Sequence, residues 1–470
     1  MKSASSASAF TAHRRPLVAS LLLALSASFG LASTSDAAVP PHGPIVVGNC
    51  DDAGAGSLRD AVAAAPDGGT IDLGSLACST ITLTTGHIAV AQNQLTLIGP
   101  GAAALTIDAA GASGVIRHSG NMTLSISGLT LANGHYESAS MPRGGCLYSA
   151  GNLVVTDSTL SSCAAVGTAA EIARGGGIYA HGLVLTRSLV TMSHAQGMAS
   201  GARGGGIYVG AGGLDSEFST ISYNGAYGAP INGGKGGGAM IVGAATLRQS
   251  TIFYNGAYEV GGIWTKDAVT LDSSTIYNNG ASHTAGMRAT YYTGSPTATI
   301  VNSTIAGNRS VATVGGLNLI IPATISNSTI ANNVAFNGLA GILMSGPTLD
   351  LESTIIAGNV GFNVPDDFDV YGSPGITGAN NLVVASSAPL PPDTIGSDPL
   401  LGTIGDYGGS TLTIPLLDGS PAIDAGNNAA QLLYDERGPG FARVVGAAAD
   451  IGAFEVQTSD IIFADGFDGP

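Results

Sequence analysis

A three-residue cue, Ser-Thr-Ile, returns at Ser219, Ser250, Ser274, Ser303, Ser328 and Ser353, with Ser-Thr-Leu at Ser158 and a degenerate copy at Ser188. Successive copies lie 24 to 31 residues apart, the interval of stacked repeat arrays. Between them recurs a second cue, Gly-Gly-Ile followed by an aromatic residue, as in Gly175-Gly176-Gly177-Ile178-Tyr179, Gly204 to Tyr208 and Gly261-Gly262-Ile263-Trp264. The segments between the cues alternate Thr, Val and Ile with polar residues, as in Thr299-Ile300-Val301-Asn302. That is a strand pattern, and no helical period survives across the repeats. Two or three short strands joined by Gly and Asn bends cannot bury an apolar face alone. Stacked on a copy, they bury Ile on Ile along a continuous core, with parallel strands about 4.8 Å apart. The sequence therefore predicts an all-β, single-stranded parallel β-helix.

Composition agrees with this reading and narrows the partners. Seventy glycines in 470 residues without a Gly-x-y period exclude collagen, and 44% hydrophobic residues argue against disorder. A net charge of -16, with lysine only at Lys2, Lys235 and Lys266, argues against nucleic acid or an anionic membrane as partner. The expected organisation is a signal peptide over 1–37, an N-terminal cap over 38–69, coils over 70–360, a C-terminal coil and cap over 361–456, and a tail over 457–470. His13-Arg14-Arg15, the apolar run Leu17 to Leu31 and Ser35-Asp36-Ala37 carry the signal-peptide expectation. No later stretch is apolar enough for a transmembrane helix. An exported monomer, secreted or at the outer surface of a Gram-negative-type cell, is expected.

In the N-terminal cap, Ser57 with Asp60 reads as a capping box and Pro66 as the stop of a short helix. That helix is expected to plug the first coil, because an open β-helix end exposes core and unpaired strand edges. Four cysteines in an exported chain suggest two disulfides. Three pairings are possible, and proximity favours Cys50–Cys78 and Cys146–Cys163. Cys146 stands where other repeats have the last Gly of the triplet, and Cys163 where they have a bend Asn. That Asn occupies the fifth place after the anchor Ser at Asn224, Asn255, Asn279, Asn308 and Asn333. Its amide can bond to copies above and below, so a structural ladder is expected.

Beyond Asn359 the period breaks, and a C-terminal cap is expected to close the open end. There, Ser420-Pro421-Ala422-Ile423-Asp424-Ala425-Gly426, Asp435-Glu436-Arg437-Gly438, Arg443 and Asp450-Ile451-Gly452-Ala453-Phe454-Glu455 resemble the choice-of-anchor Q domain of bacterial exported β-helix proteins. The Gly-Gly-x-Ile repeats are similar, more distantly, to those of polymorphic outer-membrane proteins. The resemblance implies a right-handed, pectate-lyase-like β-helix and a surface location, and no catalytic residues. The tail Ile462-Phe463-Ala464-Asp465-Gly466-Phe467-Asp468 resembles a short tail of some Gram-negative secreted proteins, and a sorting role is expected of it.

Many β-helices cleave polysaccharides, which requires clustered carboxylates for acid/base work or calcium. Asp366, Asp367 and Asp369 form the densest acidic group; calcium there is conceivable, but an ordinary final coil explains the group as well. His181-Gly182 lacks the carboxylates that would give it a catalytic meaning. No catalytic residue, metal site or cofactor is assigned. One pattern stands out. The place before the Gly triplet holds Arg143, Arg174, Arg203 and Lys235, then Glu259 and His283, while Tyr148, Tyr179, Tyr208 and Trp264 follow the inward residue and so point outward. Like charges one coil apart repel unless they splay into solvent or face an anion. An exposed aromatic row beside guanidinium groups suits an acidic glycan. The expected role is a non-catalytic adhesion or polysaccharide contact; the alternative is a polysaccharide lyase or glycoside hydrolase acting on an acidic glycan.

Overall fold

The computed structural model describes residues 43–458 apart from 170, 199–200, 229–232 and 363. The signal-peptide segment and the Ile462–Asp468 tail lie outside the described residues. The chain winds as a parallel β-solenoid. Successive coils contribute strands to a 22-stranded sheet and a 12-stranded sheet, the coils from His135 to Pro365 also to a 10-stranded sheet, and three coils add a 3-stranded one. All named pairings are parallel except one, Val360–Gly361 with Val364–Pro365. The large sheet is two ladders set at an angle. They merge because Ile178–Thr186 and Ile207–Glu217 run unbroken through the corner, with a register shift at Ala180/Gly182.

The repeat spacing produces columns of identical side chains. Ile221, Ile252, Ile276, Ile305, Ile330 and Ile356 pair rung to rung in the 12-stranded sheet and are fully buried. Each contributes about 1.5–3 kcal/mol.

Polar columns flank this core. Each anchor Ser Oγ accepts the backbone N–H of the anchor one coil earlier: Ser188 from Ser158, Ser219 from Ser188, and onward to Ser328 from Ser303, all at 3.1–3.2 Å. Its own proton goes to a carbonyl nearby. At the next coil the anchor is Thr354, not Ser353, because Thr329 pairs with Ile355. The Ser-Thr-Ile cue at Ser353 is thus one residue out of register.

The bend asparagines are joined directly. Asn224 Nδ2 donates to Asn255 Oδ1, and Asn255 to Asn279, Asn279 to Asn308, and Asn308 to Asn333, at 2.9–3.0 Å. The line continues to Asn359 and ends on Asp367, whose Oδ1 accepts from Asn359. An added Cβ on Gly206, the last of its triplet, would meet the Asn224 amide at 2.7 Å. In the coil of residues 144–167 the glycine and the asparagine are replaced by Cys146 and Cys163, which form a disulfide. Cys50 and Cys78 form the second.

Helix α1 (Leu58–Ala64) packs Leu58, Ala61 and Val62 onto the first coils. Ser57 Oγ caps it by accepting from Asp60 N at 3.2 Å. Asp60 reaches back to Gly56 N rather than to Ser57 N, so the capping box is offset by one residue.

The C-terminal region does not simply close the open end. Ala388 and Leu390 pack against the main core there. The chain then turns back and lies along the outside of the 12-stranded sheet. Thr275 Oγ1 is 2.8 Å from Leu412 O, Asn302 Nδ2 donates to Tyr434 O, Asn327 Nδ2 to Asn427 O, and Ala453 N to Thr329 Oγ1. Ile414 packs on Ala306 and Ala331, and Leu416, Ala422 and Ile451 pack with Ile355 and Leu382. This region is a lateral strap. The physical reason is the row Thr251, Thr275, Thr304 and Thr329, whose small outward side chains let a second layer approach.

Candidate anion-binding face

The rings and the cations stand on neighbouring strands of each coil. Tyr148, Tyr179, Tyr208, Met240, Trp264, Arg288 and Asn318 form one outward column of the large sheet by direct pairing. Arg117 precedes Tyr148 in it. Arg143, Arg174, Arg203 and Lys235 form the adjoining column. After Lys235 this column continues with Val260 and Thr284, not Glu259 and His283. The coil that follows lacks one residue at the bend, which moves both predicted members out of line.

The structure answers the repulsion among stacked cations with rings. Arg143 lies 5.0 Å from the centre of Tyr179 and Arg174 lies 5.8 Å from that of Tyr208, each one coil further on. Arg117 sits over Tyr136 at 3.6 Å and Tyr148 at 4.3 Å. Trp264 is surrounded by Lys235, Lys266 and Arg288 at 5.1–5.3 Å, and Lys266 also covers Tyr292 at 3.8 Å. Partly desolvated pairs of this kind contribute about 1–2 kcal/mol each.

The rings differ from the expected sugar platform in one respect. Tyr148, Tyr179 and Tyr208 stack on one another at 5.4 and 5.3 Å, nearly parallel. Trp264 is only 7% exposed. Ring faces are therefore taken by other rings and by cations, and only edges, hydroxyls and cationic N–H groups face outward.

Seven cations gather here: Arg117, Arg143, Arg174, Arg203, Lys235, Lys266 and Arg288. Three of them, Arg117, Lys266 and Arg288, are absent from the sequence-derived set. Arg117 and Arg288 belong to the ring column, so following that column instead of the cation column would have found them. Among the described residues one carboxylate joins the group, Glu259, 2.9 Å from Lys235. Arg143 donates to the Tyr179 hydroxyl at 3.4 Å, and Arg117 to the Arg143 carbonyl at 3.0 Å. The Nε atoms of Arg143 and Arg288 are enclosed and have no hydrogen-bond partner among the described residues. Burial holds Arg117, Arg174 and Arg288 below the usual guanidinium range. Burial likewise raises Tyr208, against the pull of Arg174.

Two other places bear on chemistry. A concavity of ≈ 520 Å³ opens at the sheet corner, lined by His181, Gly182, Gly212, Gly213 and Asp215 among others. Asp215 is its single carboxylate, and Arg248 binds it at 2.9 Å. Asp366, Asp367 and Asp369 turn out to be hydrogen-bond acceptors for the chain itself. Asp367 takes Asn359 N and Nδ2 on one oxygen and Ala385 N on the other. Asp366 takes Ala340 N, and Asp369 takes Val370 N and the Ser387 hydroxyl. Burial raises Asp366 and Asp367. No group of three His, Cys, Asp or Glu among the described residues is placed to hold a metal ion. No helix among them is long and apolar enough to cross a membrane.

No family model matches the chain, the C-terminal motifs included, and no curated protein matches it. Among solved structures, the pectate lyase Pel9A aligns over 85% of this chain and 91% of its own, with 13% identity and a TM-score of 0.39.

Proposed function

We propose that this chain is an exported, non-catalytic surface protein that holds an acidic polysaccharide along its cationic face. The observation that carries the reading is the charge imbalance there: seven cations and, among the described residues, one carboxylate, in a chain of net charge -16. A polyanion would supply the missing negative charge, through charge-assisted hydrogen bonds to the outward N–H groups of these cations. Its negative groups would follow the helix axis, because the cations recur once per coil. Ring stacking plays no part in this version, since the ring faces are occupied. Two disulfides fit an oxidising compartment. The choice-of-anchor Q resemblance of the strap fits a surface location.

The test is affinity electrophoresis through gels containing alginate or polygalacturonate. Wild-type protein should be retarded, less so as salt rises. Arg174→Ala/Arg203→Ala should lose about tenfold in affinity, at about 0.7 kcal/mol per cation. Equal, salt-insensitive migration of both proteins would refute the proposal. Assaying the same gels for new unsaturated or reducing ends tests the alternative, a polysaccharide lyase or glycoside hydrolase.

A further inference from the structure

In the regular coils the bend after the strand of the 12-stranded sheet places one residue in the left-handed region. In the later coils these residues are Asn278, Gly307, Asn332 and Gly358, at φ between +50° and +69°. Asn and Gly adopt that conformation with least strain. The coils before them place Ser162, Met192, Tyr223 and Tyr254 in the same position, at φ between +51° and +57°. The bend therefore accepts several residue types, and at two successive coils it carries tyrosine.

Both tyrosines are open to solvent, 54% and 46% exposed. Their rings stack at 5.1 Å and 17°, and Phe253 meets each edge-on at 5.4 and 5.5 Å. Asn278 donates to the Tyr254 hydroxyl, fixing the lower ring. Phe253 also lines a ≈ 240 Å³ concavity where the strap meets the sheet. The rest of that concavity is rich in hydroxyls: Thr220, Thr251, Ser410 and Thr411, with Asp406 at the rim. Thr411 is 4% exposed, and its Oγ1 has no hydrogen-bond partner among the described residues. A buried hydroxyl without a partner is costly unless a ligand supplies one.

We infer that Tyr223, Tyr254 and Phe253, with the hydroxyl-lined concavity beside them, form a binding site for an uncharged sugar. Aromatic carbon beside several hydroxyls and one carboxylate matches a pyranose, which presents an apolar C–H face and a rim of hydroxyls. No cation lines the concavity, so the ligand differs from the polyanion assigned to the cationic face. The site stands whether or not that assignment does.

Affinity electrophoresis through gels containing xyloglucan or galactomannan tests it. Wild-type protein should be retarded by one of these neutral probes. Tyr223→Asn/Tyr254→Asn places residues there that this bend accepts in later coils, so the variant should fold with an unchanged circular dichroism spectrum. It should lose about tenfold in affinity, the loss of two aromatic contacts. Arg174→Ala/Arg203→Ala should bind the neutral probe as wild type does. Absence of retardation in both gels, equal retardation of the tyrosine variant, or loss of binding in the arginine variant would each overturn the inference.

Discussion

Asn279 shows what one side chain does in a stacked chain. Its Oδ1 accepts both the backbone N–H and the amide of Asn255, while its own amide donates to Ile252 O and Asn308 Oδ1. Asn279→Ala should leave the buried Asn255 N–H without its acceptor and Ile252 O without its amide donor, and cost about 3 kcal/mol in chemical denaturation. Asn279→Asp should cost more, because a carboxylate cannot donate onward and its charge is buried. Asp367 is tolerated because it ends the line: its oxygens receive only N–H groups. Asp367→Asn should therefore destabilise too, by about 1–3 kcal/mol, since one new NH₂ would face the Ala385 N–H. Much of this was legible in the sequence. The fifth place after each anchor serine marks five of the bonded asparagines. Asn359 escaped that count because the cue at Ser353 slips by one residue, and counting from Thr354 finds it. The ring column was readable from alternation. Its protection was only partly so: Arg288 lies in that same column, but Lys266 comes from a position that no shared motif marks.

At the scale of the element, the strap is fastened by a neutral acid. Thr275 Oγ1 lies within hydrogen-bond distance of both Leu412 O and Glu436 Oε1, at 2.8 and 3.1 Å, yet it has one proton to give. Thr304 Oγ1 meets the other oxygen of Glu436. A protonated Glu436 resolves the count: Thr304 donates to it, it donates to Thr275, and Thr275 donates to Leu412. Burial raises Glu436 well above the ordinary glutamate value, in agreement. Glu436→Gln keeps the donor pattern and should change stability by less than about 1 kcal/mol, whereas Glu436→Ala should cost about 2–3 kcal/mol. Nearby, Arg437 is held by Asp435 at 2.7 Å and lies between Phe441 and Phe454 at 4.0 and 3.8 Å. Arg443 stands 3.5 Å from Glu455. Burial still lifts Glu455 to about 7. A raised carboxyl holds its proton in the folded state after the unfolded chain has lost it. Stability is then greatest below the unfolded value of 4.5 and falls as pH rises to about 7. The fall attributable to Glu455 is about 3 kcal/mol at most. Thermal melts from pH 4.5 to 7 should show that slope, and Glu455→Gln should flatten it. The motif Asp435 to Arg437 with Asp450 to Glu455 was visible in the sequence as a resemblance. That its charges build the inside of a strap was not, because no periodicity links residue 436 to residue 275.

At the scale of the molecule, coils that touch only their neighbours behave as a one-dimensional stack, in which ends fray and stability adds coil by coil. The strap changes this for the coils it crosses. Contacts of Thr275, Asn302, Asn327 and Ser353 with residues 412 to 452 tie four successive coils to one segment. A chain ending at residue 396 should remain a β-solenoid by circular dichroism. It should unfold over a broader denaturant range and lose several kcal/mol, because burial of Ile414, Leu416 and Ile451 is lost. The parallel strand direction followed from the repeat alone. The lateral layer did not, because a row of outward threonines reads equally well as a wet surface.

Glu436 reaches its partner across 161 positions of chain. A ribosome finishing this protein, or a pore releasing it, delivers that residue only after the coils it grips have passed. Winding can therefore begin early and proceed in order, but the structure latches at its last step. A molecule cut short by premature termination would be wound and unlatched, and a protease acting on loosened coils would remove it first.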